Sequence, residues 1–341
     1  MQRTAYRIDK AGSLARLKPV SETLAAPLAH EVCVEVRAIG LNFADIFAIF
    51  GVYSATPKGS FVPGLEYAGV VLAVGTAVST LKPGDRVMGV TRFGGYATHL
   101  NTDARYAIPL PDHWTFAEGA SYLVQGLTAY YALVPLGALE AGHTVLIHSA
   151  AGGVGLLAHR IAKKLGAYTI GSVGHADKLP LLAEEGYDQG LVRGRDFPQR
   201  LRECLGDREL NLILECIGGR IFRQGFEALA PMGRVVVYGA AQYASPGVRP
   251  DYLKMAWLYL RRPRLDVQNM TNLNKSVLAF NLIHLYEKAE ILHRVLAEID
   301  ALKLPPPRVG HTFPFSALVD AIRYFQTGKT VGKVVVEVTD M

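Results

Sequence analysis

Cysteine is scarce: Cys33, Cys204 and Cys216 are the only three in 341 residues, an odd number at wide spacing. A disulfide framework needs an even set at closer intervals, so a stapled secreted fold is excluded and a reducing, cytoplasmic compartment is expected. No stretch approaches the roughly 20 apolar residues that cross a bilayer, and no basic N-terminal segment leads into an unbroken apolar run. Neither a membrane span nor export is therefore expected. Low-complexity tracts and fixed-period repeats are missing too. The formal charge is +6 and the pI about 9.1, but the basic residues are scattered, with "RRPR" at 261–264 the only compact group. A nucleic-acid surface concentrates its cations on one face, so no nucleic-acid partner is expected, while a mild positive excess suits a protein that holds an anionic cofactor.

What is present reads as an ordinary globular chain, 50% hydrophobic and 19% charged, of a length that suits two domains. The first third is β-rich. In "EVCVEVRAIG" Val32, Val34 and Val36 alternate with Glu31, Cys33, Glu35 and Arg37, the period of a half-buried strand, and short apolar runs between Pro/Gly turns follow. At "TFAE", Thr115 and Glu118 have capping-box spacing, which predicts a helix start. From Gly142 to Gly239 short apolar strands alternate with amphipathic helices, the pattern of a parallel sheet flanked by helices. Beyond Ala240 the pattern is irregular until helices predicted between Leu278 and Asp300 and a closing strand, "KVVVEV", assigned to the β-rich part.

The glycine cluster "HSAAGGVG" (148–155) lies where the strand Thr144–Ile147 hands over to a helical pattern. In a Rossmann unit such a turn lets backbone approach a pyrophosphate lying on the helix N-terminus. Ala150, Gly152 and Gly155 fill the three G-x-G-x-x-G slots. Gly152 is the point of close phosphate approach and Gly155 the point of close helix–strand packing, with Ala151, Gly153 and Val154 completing the loop. The next strand selects the dinucleotide. An acid at its end would accept from a ribose 2′-hydroxyl and repel a 2′-phosphate. Here Ser172 holds that place, Lys178 follows a turn later, and Arg193 adds a second cation, which favours NADP(H). A solvated loop charge is the competing reading for each of the two cations.

Taken together, "GLNFADIFAIFGVY" (40–53), "VPGLEYAGVVLAVG" (62–75), "KPGDRVMG" (82–89), "GLTAYYAL" (126–133), "HSAAGGVG" and "TVGKVVVEV" (330–338) resemble, over essentially the whole chain, the medium-chain dehydrogenase/reductase superfamily in its zinc-independent quinone oxidoreductase (zeta-crystallin-like) branch. "PKGSFVPG" (57–64) resembles that branch's vesicle amine transport relatives. The resemblance implies an α/β fold: a β-rich GroES-like substrate domain over 1–125, a doubly wound Rossmann NADP-binding domain over 126–262, and a return to the first domain over 263–341. It also implies a homodimer. Where the zinc enzymes of the superfamily carry ligands, this chain has Asn42, Leu65 and Gln125 or Gly126, and no metal site is expected. His148 and Cys216 read as packed residues rather than ligands.

Without a Lewis acid, the chemistry left is hydride delivery to an electrophilic acceptor, a quinone or an α,β-unsaturated carbonyl, whose developing anion needs a hydrogen-bond donor and a proton. The resemblance assigns Tyr53 as that donor, with bulk water as the alternative, and Asn42 as an amide donor or coenzyme contact. Asp45 is assigned to the loop's backbone. Further coenzyme contacts carried over are Thr128, Gly239, Phe280 with Leu282, and Lys333. Phe47 and Ile49 replace a tyrosine and an arginine common in the branch, implying a less polar acceptor site. Two other functions stay open, an alkenal or enoyl double-bond reductase and a non-catalytic NADP(H)-binding protein.

Overall fold

Alternation dictates the strand at Glu31–Gly40, and the computed structural model, which describes residues 1–339, makes it central to its sheet. In chain order the strands are β1 (Gln2–Ile8), β2 (Leu17–Thr23), β3 (Glu31–Gly40), β4 (Glu66–Val74), β5 (Arg86–Val90), β6 (His99–Asp103), β7 (Ala107–Pro109), β8 (Thr144–His148), β9 (Tyr168–Val173), β10 (Gln189–Val192), β11 (Leu212–Glu215), β12 (Arg234–Val237), β13 (Ser276–Ala279), β14 (Val309–Pro314) and β15 (Lys333–Glu337). The helices are α1 (Phe43–Ile49), α2 (Phe116–Gly119), α3 (Leu123–Tyr131), α4 (Gly153–Lys164), α5 (Leu179–Glu185), α6 (Phe197–Leu205), α7 (Gly219–Ala228), α8 (Tyr252–Leu260), α9 (Val267–Leu273), α10 (Ala289–Ala301) and α11 (Leu318–Gln326).

Two units result. The first comprises Met1–Val124, Pro246–Pro250 and the chain from Pro306 onward; the second comprises Gln125–Ser245 and Asp251–Pro305. In the first, a mixed sheet runs β14-β15-β3-β4-β5-β7, with β6 also paired to β3 and a β1-β2 hairpin beside it. Because β3 pairs with β15, β4 and β6, it is covered more fully than alternation predicts: Cys33, on the expected polar face, is buried, its sulfur 3.7 Å from that of Met1. The capping box at Thr115 forms as expected, with Glu118 accepting from the Thr115 N–H at 2.7 Å and Thr115 Oγ1 from the Glu118 N–H at 3.2 Å.

The second unit is a six-stranded parallel sheet ordered β10-β9-β8-β11-β12-β13, the doubly wound Rossmann order, whose direction of winding reverses between β8 and β11. Ligand crevices in such sheets open at that reversal, beyond the carboxyl ends of the strands. The apolar stripe of α4 is wider than the expected Val154, Leu157, Ala158, Ile161 and Leu165: Leu156 and His159 are buried as well, while Val154 is only half-buried. At Leu278, where a helix was expected, the chain forms β13 instead, because its backbone completes the ladder beside β12; the helix begins at Ala289.

Candidate active site

In the second unit the site starts from one turn. Strand β8 ends at His148, Ser149 takes a left-handed φ of 52°, and Gly152 caps α4. The two glycines of the motif are required for different reasons. A Cβ on Gly155 would lie 2.5 Å from the Ser149 carbonyl oxygen and 2.7 Å from Ala150 Cα, so the protein's own backbone forbids it. A Cβ on Gly152 would meet only the Ser149 oxygen, at 3.3 Å. Its two chain neighbours apart, no other atom of the described residues would lie within 4 Å of it. The Gly152 N–H donates to Ser149 O at 2.9 Å, so the donors left facing outward are the first-turn amides of Gly153 and Val154, which have no partner inside the helix. Ala151 is buried in the turn. Beneath it the Tyr187 hydroxyl donates to Gly155 O at 2.8 Å and its ring stacks on His159 at 3.9 Å, a support with no local sequence signal.

Ser172, at the end of β9, is fully buried rather than presented to solvent. Arg193, just past β10, donates from Nη1 to Ser172 O at 2.8 Å and to Ser172 Oγ at 3.1 Å. Ser172 Oγ lies 2.5 Å from His148 Nδ1, and His148 Nε2 lies 3.3 Å from Glu215 Oε2. Burial, with the Arg193 charge, drops the His148 pKa to about 3, so the imidazole is neutral. Burial pushes Glu215 up against the pull of the Gly218 and Ile217 amides. Lys178, 9% exposed, is lowered by burial and by the positive charge of Arg193, against the pull of Asp177. Two desolvated cations thus repel each other beside the turn after β9. An anion between them would relieve both.

The remaining second-unit candidates are spread along the chain. Thr128 is buried on α3. Gly239 lies against Cys216, whose Cβ would sit 3.2 Å from a Cβ on the glycine. Phe280 commits its N–H to Val237 O at 3.1 Å and packs its ring 5.1 Å from Tyr131, and Leu282 opens the short turn that follows.

In the first unit, Asn42, Asp45, Glu66, Tyr96 and Lys333 form a buried network. The Lys333 ammonium donates to Glu66 Oε2 at 2.7 Å and to Asn42 Oδ1 at 2.9 Å, while Asn42 Nδ2 donates to Gly40 O at 3.1 Å. Asp45 Oδ2 accepts from the Asn42 N–H at 2.8 Å and from the Tyr96 hydroxyl at 3.0 Å, fixing the start of α1. Burial raises the Asp45 pKa to about 7, against these two donors and the Lys333 charge; burial lowers Lys333, against Glu66. Glu66 also accepts from the Val124 N–H at 2.9 Å. As the one acid inside the apolar run "VPGLEYAGVV", it carried a signal that sequence reading passed over. Tyr53 is half-buried four residues beyond α1, its ring against the core and its carbonyl accepting from the Thr56 N–H and hydroxyl.

The zinc-ligand positions hold an amide tied to Lys333, a buried leucine and Gln125, none able to supply a thiolate or imidazole. Among the described residues no group of three or more His, Cys, Asp or Glu is placed to hold a metal ion, and no helix is long and apolar enough to cross a membrane.

Two families match the chain, one described as Zinc-binding dehydrogenase over residues 153–279 and one as Alcohol dehydrogenase GroES-like domain over residues 28–112. A synaptic vesicle membrane protein VAT-1 homolog of Rattus norvegicus is 33% identical over 91% of this chain and 77% of its own length. Among solved structures, mycobacterial Rv1454c complexed with NADPH has a TM-score of 0.85 at 30% identity, covering 98% of this chain and 99% of its own. Escherichia coli quinone oxidoreductase complexed with NADPH has a TM-score of 0.84 at 27% identity, covering 99% and 100%. The CurK enoyl reductase has a TM-score of 0.82 at 27% identity, covering 99% and 100%.

Proposed function

The chain belongs to the medium-chain dehydrogenase/reductase superfamily, in its zinc-independent quinone oxidoreductase branch, and on that premise we propose that it is an NADPH-dependent oxidoreductase reducing quinones or related conjugated carbonyl compounds. The observation that carries this reading is the unequal pair of glycines, with Gly152 bare toward the outside while Gly155 is bare for the fold. NADPH supplies the hydride when bound. The amides of Gly153 and Val154 take its diphosphate, and Arg193 and Lys178 bracket the 2′-phosphate. Thr128, Gly239, Phe280 and Leu282 are assigned to the nicotinamide side.

Tyr53 is the donor proposed for the developing oxyanion on the acceptor. Asn42 holds the start of that loop, and Lys333 acts through Asn42 rather than on the ligand directly. Phe47, half-buried on α1, favours an apolar acceptor, while Ile49 is fully buried in the core of the first unit and does not line one. An enoyl or alkenal reductase is the second reading, which the likeness to an enoyl reductase supports. Non-catalytic NADP(H) binding is the third.

Calorimetric titration with NADPH and NADH, followed by turnover with a quinone and with an enal, separates the three. Tight NADPH binding with quinone turnover is expected; turnover of the enal alone favours the second reading, binding without turnover the third, and no heat with either coenzyme sinks all of them. The three free cysteines support a reducing, cytoplasmic setting. A homodimer is supported by the edge strand β13 and by the exposed apolar residues of α8 and α9, Leu253 and Val267 foremost.

A further inference from the structure

Four polar groups run across adjacent strands of the second unit, at the carboxyl ends of β10, β9, β8 and β11, and three of them, Ser172, His148 and Glu215, are buried without contact to water. Donation along the row starts at Arg193. A guanidinium has no acceptor, so Arg193 Nη1 donates to Ser172 O and Oγ. The Ser172 hydroxyl, having accepted, turns its own hydrogen to His148 Nδ1. A neutral imidazole with Nδ1 accepting carries its proton on Nε2, which lies 3.3 Å from Glu215 Oε2 without forming a hydrogen bond to it, so the two atoms meet only as an electrostatic contact. Glu215 Oε1 accepts from the backbone N–H groups of Ile217 and Gly218, which anchor the far end.

A buried polar row that leaves His148 Nε2 and Glu215 Oε2 without hydrogen-bond partners is unfavourable compared with an apolar filling of the same volume. Its product is the orientation of Arg193. One guanidinium nitrogen is spent on Ser172, while Nε and Nη2 have no protein partner among the described residues. A Cβ on Gly174 would lie 3.4 Å from Nη2, so this free edge faces the turn that leads to Lys178.

We infer that Ser172, His148 and Glu215 are positioning residues for coenzyme choice: Ser172, backed by the His148 imidazole that faces the Glu215 carboxylate, holds Arg193 with its free edge toward the 2′-phosphate. The inference rests on the NADPH reading above. It extends that reading from the two cations to three buried residues.

The test is a fluorescence titration giving Kd for NADPH and for NADH with the wild-type chain, Arg193→Ala, Ser172→Ala, Glu215→Gln and the double variant Ser172→Ala/Arg193→Ala. The wild type prefers NADPH, and Arg193→Ala abolishes that preference. Ser172→Ala raises the NADPH Kd about ten-fold, the worth of a hydrogen bond to a charged group, and leaves the NADH Kd within about two-fold. Glu215→Gln shifts the ratio the same way by less, because it removes the carboxylate that faces the imidazole. The double variant is no worse than Arg193→Ala alone. An unchanged NADPH-to-NADH ratio in Ser172→Ala, with Arg193→Ala losing its preference, overturns the positioning role and spares the coenzyme reading; equal weakening of both coenzymes also overturns it. A wild type without preference overturns both. Should Glu215→Gln fail to fold, Ser172→Ala, which removes one atom, decides alone.

Discussion

Asp45 shows what burial does to a single carboxyl. Its ordinary pKa of 3.8 rises to about 7 in the folded chain because desolvation outweighs the Asn42 and Tyr96 hydrogen bonds. The sign follows from proton counting: between about pH 4 and pH 7 the unfolded state has lost a proton that the folded state keeps, so stability falls as pH rises through that window. Asp45→Asn keeps an acceptor for both donors and cannot ionise. The variant is expected to match the wild type near pH 4 and to exceed it above pH 7 by on the order of 4 kcal/mol. Chemical denaturation across pH measures this, and a difference independent of pH would refute it. At the same scale, Tyr53→Phe tests proton donation. A loss in kcat of about a hundred-fold with unchanged coenzyme Kd is expected if the phenol is the acid, and unaltered turnover assigns the proton to water.

Elements were legible in sequence wherever local chemistry decides them. The turn at 148–155 and the cap at Thr115 depend on neighbours within a few residues, and both stand where the pattern put them. Partnerships between elements were not legible. Nothing near Tyr187 signals that its hydroxyl supports the glycine turn, and nothing near His148 announces Glu215, since those contacts exist only once β8, β9 and β11 are side by side. The turn yields a paired prediction. Gly155→Ala forces a Cβ into backbone and is expected to cost on the order of 3 kcal/mol in stability. Gly152→Ala is expected to cost less than about 1 kcal/mol, the penalty of a poorer cap, yet to weaken NADPH at least ten-fold, about 1.4 kcal/mol. Thermal melts and coenzyme titration of both variants give the comparison; similar losses of affinity and stability in the two would remove the distinction between them.

For the whole molecule, the exposed edge of the parallel sheet is the feature to probe. Ser276 and Phe280 donate inward to β12, so the alternation of the strand turns the N–H groups of Val277 and Ala279 outward. Ala279→Pro removes an outward donor without touching the inner ladder, and a homodimer built through that edge is expected to become a monomer by light scattering. A retained dimer would move the interface elsewhere, with the apolar faces of α8 and α9 next in line. How the chain returns to its first unit was visible only in outline: "KVVVEV" reads as a strand, but its place between β14 and β3 does not.

That return has a consequence for biogenesis. Lys333 closes on Asn42 across 291 residues and on Glu66 across 267, so the flank of β3 that β15 covers stays bare until the intervening Rossmann unit has been made. A fragment ending at Val124 is expected to clump during expression while 125–305 accumulates as a folded body, and the newborn chain has to shield that flank on its way out of the ribosome.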